Sequence, residues 1–264
     1  MKLTKLSRSI EGKVAIITGA ASGMGRSTAA LFAEQGALVA VTDINQEPLD
    51  EVVDEISAVG YSVRGWLLDV SDIEAIERVV PEIAEHFGGI DILINNAGIG
   101  AGASLDDDDY ETVWQRGQDV LLTAHVRMIR ASLPFLRESM GGRIVNIAST
   151  EGLGATKYAS AYSAAKTGVL GLTRSLAVEF GTENITVNCI CPGPIRTGLT
   201  DGIPEEQKQE YARRRVALKR YADPEEVAHM TLSLVIPAAS YVCLLYTSDA
   251  ADDTPCVDLG GRRI

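Results

Sequence analysis

The sequence is poor in the ingredients that small secreted domains use to hold themselves together. Its 264 residues include only four cysteines, Cys189, Cys191, Cys243 and Cys256. No disulfide framework is visible in their spacing, which points to a reducing, cytosolic compartment. Cys189 and Cys191 stand two apart in an apolar run, on one face of a predicted strand, with no His or Cys cluster to complete a metal site. Core packing is the expected role, because structural zinc needs four ligands. Positive charge is in deficit, with 24 Lys and Arg against 36 Asp and Glu and a net charge of −12. That argues against nucleic acid and anionic membrane surfaces as partners. No apolar run approaches the ~20 residues of a membrane-spanning helix, and the first ten residues lack the apolar core of a signal peptide. Aromatic residues make up 5%, which argues against a wide, flat apolar pocket. The acidic run from Asp106 to Asp109 has no ligand spacing. It reads as a solvated loop feeding negative charge into a helix that starts near Tyr110.

What is present suits one α/β domain large enough to bury a core without disulfides or metals. Strand-like runs fall at Val14–Thr18, Leu38–Thr42, Ser62–Leu67, Ile90–Asn95, Arg143–Ala148 and Thr186–Ile190. Helical periodicity covers Gly25–Gln35, Glu47–Ala58, Ile73–Phe87, Tyr110–Glu138, Ala159–Phe180 and Pro224–Ile236. Alternation of the two predicts a three-layer, doubly wound parallel sheet with right-handed crossovers. The strands are near-continuous Val, Ile and Leu, as in a sheet covered on both faces. The polar segment Thr197–Leu218, with Arg213, Arg214 and Arg215, interrupts this rhythm. It follows a strand, so it reads either as a substrate lid or as a solvated helix pair.

The first strand runs into Thr18-Gly19-Ala20-Ala21-Ser22-Gly23-Met24-Gly25, and a helix follows. Glycines allow a sharp turn and close backbone approach to a pyrophosphate, and the helix N-terminus offers unpaired N–H groups to that anion. Gly19, Ala21, Ser22, Gly23, Met24 and Gly25 are therefore candidate cofactor contacts. Asp43 closes the second strand, where a carboxylate can accept hydrogen bonds from the adenosine ribose and repel a 2′-phosphate. This predicts NAD in preference to NADP.

Tyr162 and Lys166 lie four apart on a predicted helix and so share a face. An ammonium near a phenol favours the phenolate, which would bring the tyrosine pKa down toward the working pH. Ser149 ends one strand and Asn95-Asn96-Ala97-Gly98 ends another, on the rim where the glycine turn also lies.

In this order, these motifs make the chain resemble the short-chain dehydrogenase/reductase family over roughly residues 9–242. TGxxxGxG is matched by Thr18 to Gly25, NNAG by Asn95 to Gly98, the serine by Ser149, YxxxK by Tyr162 and Lys166, and PGxIxT by Pro192, Gly193, Ile195 and Thr197. The resemblance implies a Rossmann-like fold and a metal-free reaction moving hydride between nicotinamide and a secondary alcohol or ketone. It implies that Tyr162 exchanges a proton with the substrate oxygen, Ser149 hydrogen-bonds that oxygen, and Lys166 tunes Tyr162 and contacts the nicotinamide ribose. Asp69 and Val70 would contact adenine. Asn96, Ala97 and Gly98 would line the cofactor, and Pro192, Gly193, Ile195 and Thr197 the nicotinamide side. A homo-oligomer, dimer or tetramer, is implied as well. The alternative is a non-catalytic NAD-binding sensor or scaffold on the same fold.

Two departures stand out. The family's asparagine in the helix before Ser149, associated with a water that relays protons to the lysine, is replaced by Leu121, which predicts lower turnover. Gln118 and His125 lie about one turn away, and the sequence assigns neither that role. After Val242 the family's TGxxxxVDGG edge strand is absent. Residues 243–264 instead resemble translated sequencing-library adapter DNA, so they read as a foreign tail, with the last edge strand expected to be missing. That tail holds four aspartates and two arginines, so the rest of the chain stays strongly acidic without it.

Overall fold

The computed structural model describes residues 5–243 and, as backbone, 246–248. Its elements run β1 (Val14–Thr18), α1 (Gly23–Glu34), β2 (Leu38–Asp43), α2 (Gln46–Ala58), β3 (Val63–Leu67), α3 (Ile73–Phe87) and β4 (Ile92–Asn95). After these come α4 (Tyr110–Gln118), α5 (Ala124–Glu138), β5 (Arg143–Ile147), α6 (Ser160–Phe180) and β6 (Thr186–Cys191). The chain then forms α7 (Gly198–Asp201), α8 (Glu205–Arg215), α9 (Pro224–Val235) and β7 (Tyr246–Ser248). The sheet order is β3-β2-β1-β4-β5-β6-β7 with every pairing parallel. Chain direction around the sheet reverses between β1 and β4. In such folds the crevice at the carboxyl ends of these two strands is where a dinucleotide lies.

Alternate residues of each central strand feed opposite cores. Ala15 and Ile17 of β1 join Val39, Val41, Ile92 and Ile94 in a cluster with Phe32 of α1 and Val235 of α9. Ile16 points the other way, to a cluster with Leu93, Ile144 and Val187 that also takes Val80 of α3, Met128 of α5 and Phe180 of α6. Two-sided burial explains why β1 reads as an unbroken apolar run, since all five of its residues are buried. Asp72 caps α3 by accepting from the Glu74 and Ala75 amides, and Gly88 in the left-handed region ends it, a polar start and glycine stop legible in sequence.

Two expectations need correction. The periodic segment from Tyr110 to Glu138 is not one regular helix, because a π-helical turn at Asp119–Thr123 separates α4 from α5. One extra residue per turn leaves apolar periodicity nearly unchanged, yet it rotates every later side chain. The edge beyond β6 is not bare either. The backbone of Tyr246–Ser248 pairs with β6 in the register Cys189↔Tyr246, Ile190↔Thr247 and Cys191↔Ser248. An open edge of unpaired N–H and C=O groups accepts an extended segment whatever its sequence. The remaining tail, residues 249–264 with Cys256, lies outside the described residues.

Candidate functional site

A cleft of about 1000 Å³ opens at the carboxyl ends of β1, β2 and β4. Of the sequence candidates, its walls hold Gly19, Ser22, Gly23, Met24, Asp43, Asp69, Val70, Asn96, Ala97, Gly98 and Thr197. Ala21 and Gly25 instead shape the turn. The Ala21 amide donates to Asp43 Oδ2 at 3.1 Å, and a Cβ on Gly25 would lie 2.2 Å from the Gly19 carbonyl oxygen. Gly19 has φ +64°, and its Cβ would meet Ala97 Cα at 2.7 Å, so only glycine fits there.

The NNAG segment is the other half of this turn. Thr18 Oγ1 accepts from the Asn96 and Ala97 amides, each at 3.0 Å. Asn96 Nδ2 donates to the Thr18 and Gly19 carbonyls at 2.9 and 3.1 Å. Asn96 thus clamps the glycine turn to β4. Below it, Asn95 donates to Asn146 across the sheet, and Asn146 donates to Thr173 of α6.

The residues suit a dinucleotide. Ser22 makes no side-chain cap bond at the start of α1, and the first turn carries no acidic residue. Its free N–H groups and positive dipole end therefore face the cleft without a competing anion. Asp43 lines the cleft at the end of β2. Its Oδ1 accepts from the Asn45 amide at 3.0 Å.

Ser149 follows β5 by two residues and is buried, its Oγ accepting from the Glu151 amide at 3.1 Å. That leaves its O–H proton available as a donor. Tyr162 stands on the first turn of α6. Lys166, one turn on, is 3% exposed, and its Nζ donates to the Ile147 carbonyl at 2.7 Å. Burial pulls the ammonium down to about 8. The expectation that Lys166 depresses the phenol is corrected here. Tyr162 is raised above its ordinary value, first by burial and then by the Glu151 charge, with only the Ser149 hydrogen bond opposing them. The ammonium donates to the Ile147 carbonyl and stands 5.8 Å from the phenol ring centroid.

The PGxIxT segment divides in the same way. Thr197 lines the cleft, and its Cγ2 would lie 3.0 Å from a Cβ on Gly23. Ile195 is buried in the core and bridges to Ala222. Pro192 accepts at its carbonyl from the Thr150 amide at 3.1 Å, tying β6 to the loop after Ser149. The interrupting segment Thr197–Leu218 forms α7 and α8. Gly198 and Leu199 reach the cleft, while Tyr211 and Arg214 face Thr156 across a second cavity. Lys157 and Tyr158 are exposed and stacked on each other, Nζ 4.4 Å from the ring centroid.

Sequence reading missed the cleft wall made by α4 and the π-helical turn, which includes Thr112, Arg116 and Val120. No local pattern marks a helix face as pocket-lining. It also missed Ile44, which lines the cleft although 56% exposed. An apolar residue directly after the Asp43 strand end was the available signal.

Leu121 is fully buried among Ala101, Ala161 and Ala165, and the Gln118 amide is spent on the Ala161 carbonyl at 3.2 Å. Leu121→Asn is expected to raise kcat while lowering stability by about 1–3 kcal/mol, the cost of a buried amide without partners. Steady-state kinetics and urea unfolding measure the two effects separately. An unchanged kcat removes the idea that this position limits turnover.

Ser149, Tyr162 and Lys166 are not among the residues that line the cleft. A crevice at a strand reversal with a glycine turn suited to a pyrophosphate, together with a serine after β5 and a tyrosine and buried lysine on α6, is what a nicotinamide-dependent oxidoreductase needs. Comparison with known proteins narrows that class. Residues 19–244 match a family profile described as Enoyl-(Acyl carrier protein) reductase. The chain is 38% identical over 236 residues to the 3-oxoacyl-(acyl-carrier-protein) reductase FabG of Thermotoga maritima, covering 88% of this chain and 94% of that one. It is 37% identical over 232 residues to meso-2,3-butanediol dehydrogenase of Serratia marcescens, covering 88% and 90%. The crystal structure of L-sorbose reductase from Gluconobacter frateurii, complexed with NADPH and L-sorbose, superposes with a TM-score of 0.86 at 32% identity, covering 92% of this chain and 97% of that one. The chain belongs to the short-chain dehydrogenase/reductase family. It is an NAD(P)-dependent oxidoreductase of the alcohol and ketone class.

Among the described residues, no cluster of three or more His, Cys, Asp or Glu side chains could hold a metal ion. Among the same residues, no helix is long and apolar enough to cross a membrane.

Proposed function

We propose that the protein is an NAD-preferring dehydrogenase or ketoreductase of a secondary alcohol or its ketone, with Ser149, Tyr162 and Lys166 as its catalytic residues. The observation that carries this reading is the buried Lys166 one turn after Tyr162 on α6, its ammonium 5.8 Å from the phenol ring centroid and bonded to the Ile147 carbonyl, with the buried Ser149 just after β5. A binding module has no need of that trio. The bound nicotinamide supplies or accepts the hydride. Ser149 holds the substrate oxygen with its free O–H, Tyr162 gives that oxygen a proton in reduction or takes one in oxidation, and Lys166 balances the charge left on the phenol. Phenol and hydroxyl together polarise the carbonyl, so no metal is required.

The NAD preference rests on Asp43, fixed by the Ala21 amide at the adenosine end of the cleft. A 2′-phosphate there would meet the Asp43 carboxylate. We expect kcat/KM for NAD to exceed that for NADP by at least about tenfold, and Asp43→Ala to narrow the ratio by a similar factor, roughly 1.4 kcal/mol. A wild-type preference for NADP would refute the role given to Asp43. It is a real contest, because the L-sorbose reductase is described with NADPH.

Residues 9–242 are proposed as the catalytic unit and 243–264 as a foreign segment, which resequencing the gene across codon 242 tests. The intact enzyme is read as a homo-oligomer, with Val178 of α6 exposed at 76% as a candidate contact. Cys189, Cys191 and Cys243 form no disulfide among the described residues, and a cytosolic site of action is proposed. NADH fluorescence and a broad alcohol and ketone panel test the function as a whole. Binding with no turnover of any panel member would favour a cofactor sensor instead.

A further inference from the structure

The loop after Ser149 carries an acid that the mechanism does not use. Glu151 is half-buried, and its amide donates to Ser149 Oγ at 3.1 Å. Its carboxylate is held by two hydroxyls. Thr156 Oγ1 donates to Oε1 at 2.6 Å, and Ser163 Oγ donates to Oε2 at 3.4 Å. Ser163 follows Tyr162 on α6. Backbone and carboxylate of Glu151 thus bond Ser149 itself and the residue next to Tyr162. The loop is also pressed onto α6. A Cβ on Gly152 would lie 2.9 Å from the Lys166 carbonyl oxygen, and the Thr167 hydroxyl donates to the Gly152 carbonyl at 3.2 Å. Among the described residues no ion pair reaches the Glu151 carboxylate. Cations of the neighbouring segments are turned elsewhere, Lys166 to the Ile147 carbonyl, Lys157 to the Tyr158 ring and Arg214 to Glu210. Arg215 shares the second cavity with Thr156 and makes no bond to Glu151.

We propose that Glu151 is a specificity-determining residue that selects neutral, hydroxyl-bearing ketones and the matching diols and turns away keto acids. The inference rests on the catalytic reading of Ser149 and Tyr162 given above and names a substrate class for that site. A ketone oxygen held by Ser149 and Tyr162 sets its substituents beside the loop that bears Glu151. A carboxylate has about four lone-pair sites, so two hydroxyl donors leave room for a third. A substrate hydroxyl one carbon from the ketone can fill it. Thr156 and Ser163 already fix the side chain, so little ordering is left for the substrate to cost. A substrate carboxylate on that carbon would instead meet a like charge with no bonded cation to offset it, a repulsion that grows as water is excluded. The same charge is felt by Tyr162, which Glu151 helps to hold above its ordinary value. Glutamine separates the two effects, since its amide oxygen still accepts while the charge is gone, and leucine removes both.

The test uses the full chain with NADH and three methyl ketones of similar size, acetone, hydroxyacetone and pyruvate. For wild type, kcat/KM for hydroxyacetone is expected to exceed that for acetone by at least about tenfold and that for pyruvate by at least about a hundredfold. Glu151→Gln is expected to narrow the gap to pyruvate by at least about tenfold while hydroxyacetone stays ahead of acetone, and Glu151→Leu to remove both preferences. Equal use of pyruvate and hydroxyacetone by wild type overturns the proposal, as does an unchanged gap in the Gln variant. If both variants lower all three ketones by one factor, the residue serves the loop alone and the proposal also fails. Equilibrium binding of hydroxyacetone and pyruvate to the Tyr162→Phe enzyme with NADH, followed by NADH fluorescence, reads the same preference without turnover. Should the Glu151 variants not fold, that binding and the wild-type order still decide. If wild type reduces none of the three yet hydroxyacetone binds more tightly than pyruvate, the catalytic reading falls and the selectivity stands. Equal binding would overturn the selectivity.

Discussion

Tyr162→Phe is expected to lose roughly two to four orders of magnitude in kcat while binding NADH as wild type does, the range seen when a positioned proton donor is deleted. The phenol is half-buried and packs on the small apolar cluster of Leu121, Ala161 and Ala165, so phenylalanine keeps the contacts and removes only the hydroxyl. Stability should change little, which makes the comparison clean. Because burial raises Tyr162 above its ordinary value, the phenol is protonated throughout the neutral range. That is the form that donates to a ketone, so reduction should run at neutral pH. Oxidation needs the phenolate, so its rate should climb as pH rises, with a limb that belongs to the Tyr162–Lys166 pair and not to either residue alone. Steady-state rates in both directions against pH, with NADH fluorescence titration of the variant, measure all of this. Intact turnover in the variant would end the mechanism proposed above.

Gly25→Ala should act on a different property, the integrity of the cofactor turn. Gly25 sits in an ordinary helical backbone, so its φ is not the constraint. The space is: a Cβ would lie 2.2 Å from the Gly19 carbonyl oxygen and 2.6 Å from Asn96 Nδ2. Relief requires pushing back a backbone carbonyl or breaking the Asn96 bonds that join the turn to β4. We expect a loss of about 1–3 kcal/mol in stability, as for other overpacked cores, and NADH affinity reduced by at least about a hundredfold, because the pyrophosphate amides are displaced together. Gly100→Ala is the control. Nothing lies within 4 Å of its Cβ, so the change should stay within about 0.5 kcal/mol. Urea unfolding and fluorescence titration of the two variants decide the matter. Normal NADH binding by the Gly25 variant would show that the turn tolerates what its geometry forbids.

The architecture was legible because its determinants are local. Strands buried on both faces read as apolar runs, helices show a repeating stripe, and caps such as Asp72 and Gly88 stop them at identifiable places. Within the site, the same holds for the glycine turn, Ser149 just after β5 and the four-residue spacing of Tyr162 and Lys166, all set by short-range geometry. The π-helical turn was not legible, since one inserted residue barely alters an apolar pattern. The short β7 pairing was not either, since a sheet edge recruits backbone without regard to side chains.

By itself, then, the order of residues determined the layers, the family and which side chains would meet at the rim, because these follow from periodicity and from contacts within a turn or two. Only the tertiary structure decided what those side chains experience. It placed Lys166 against the Ile147 carbonyl, lifted Tyr162 by burial and made Asn96 a clamp. Desolvation and hydrogen-bond competition depend on groups distant in the chain, and no local pattern encodes them.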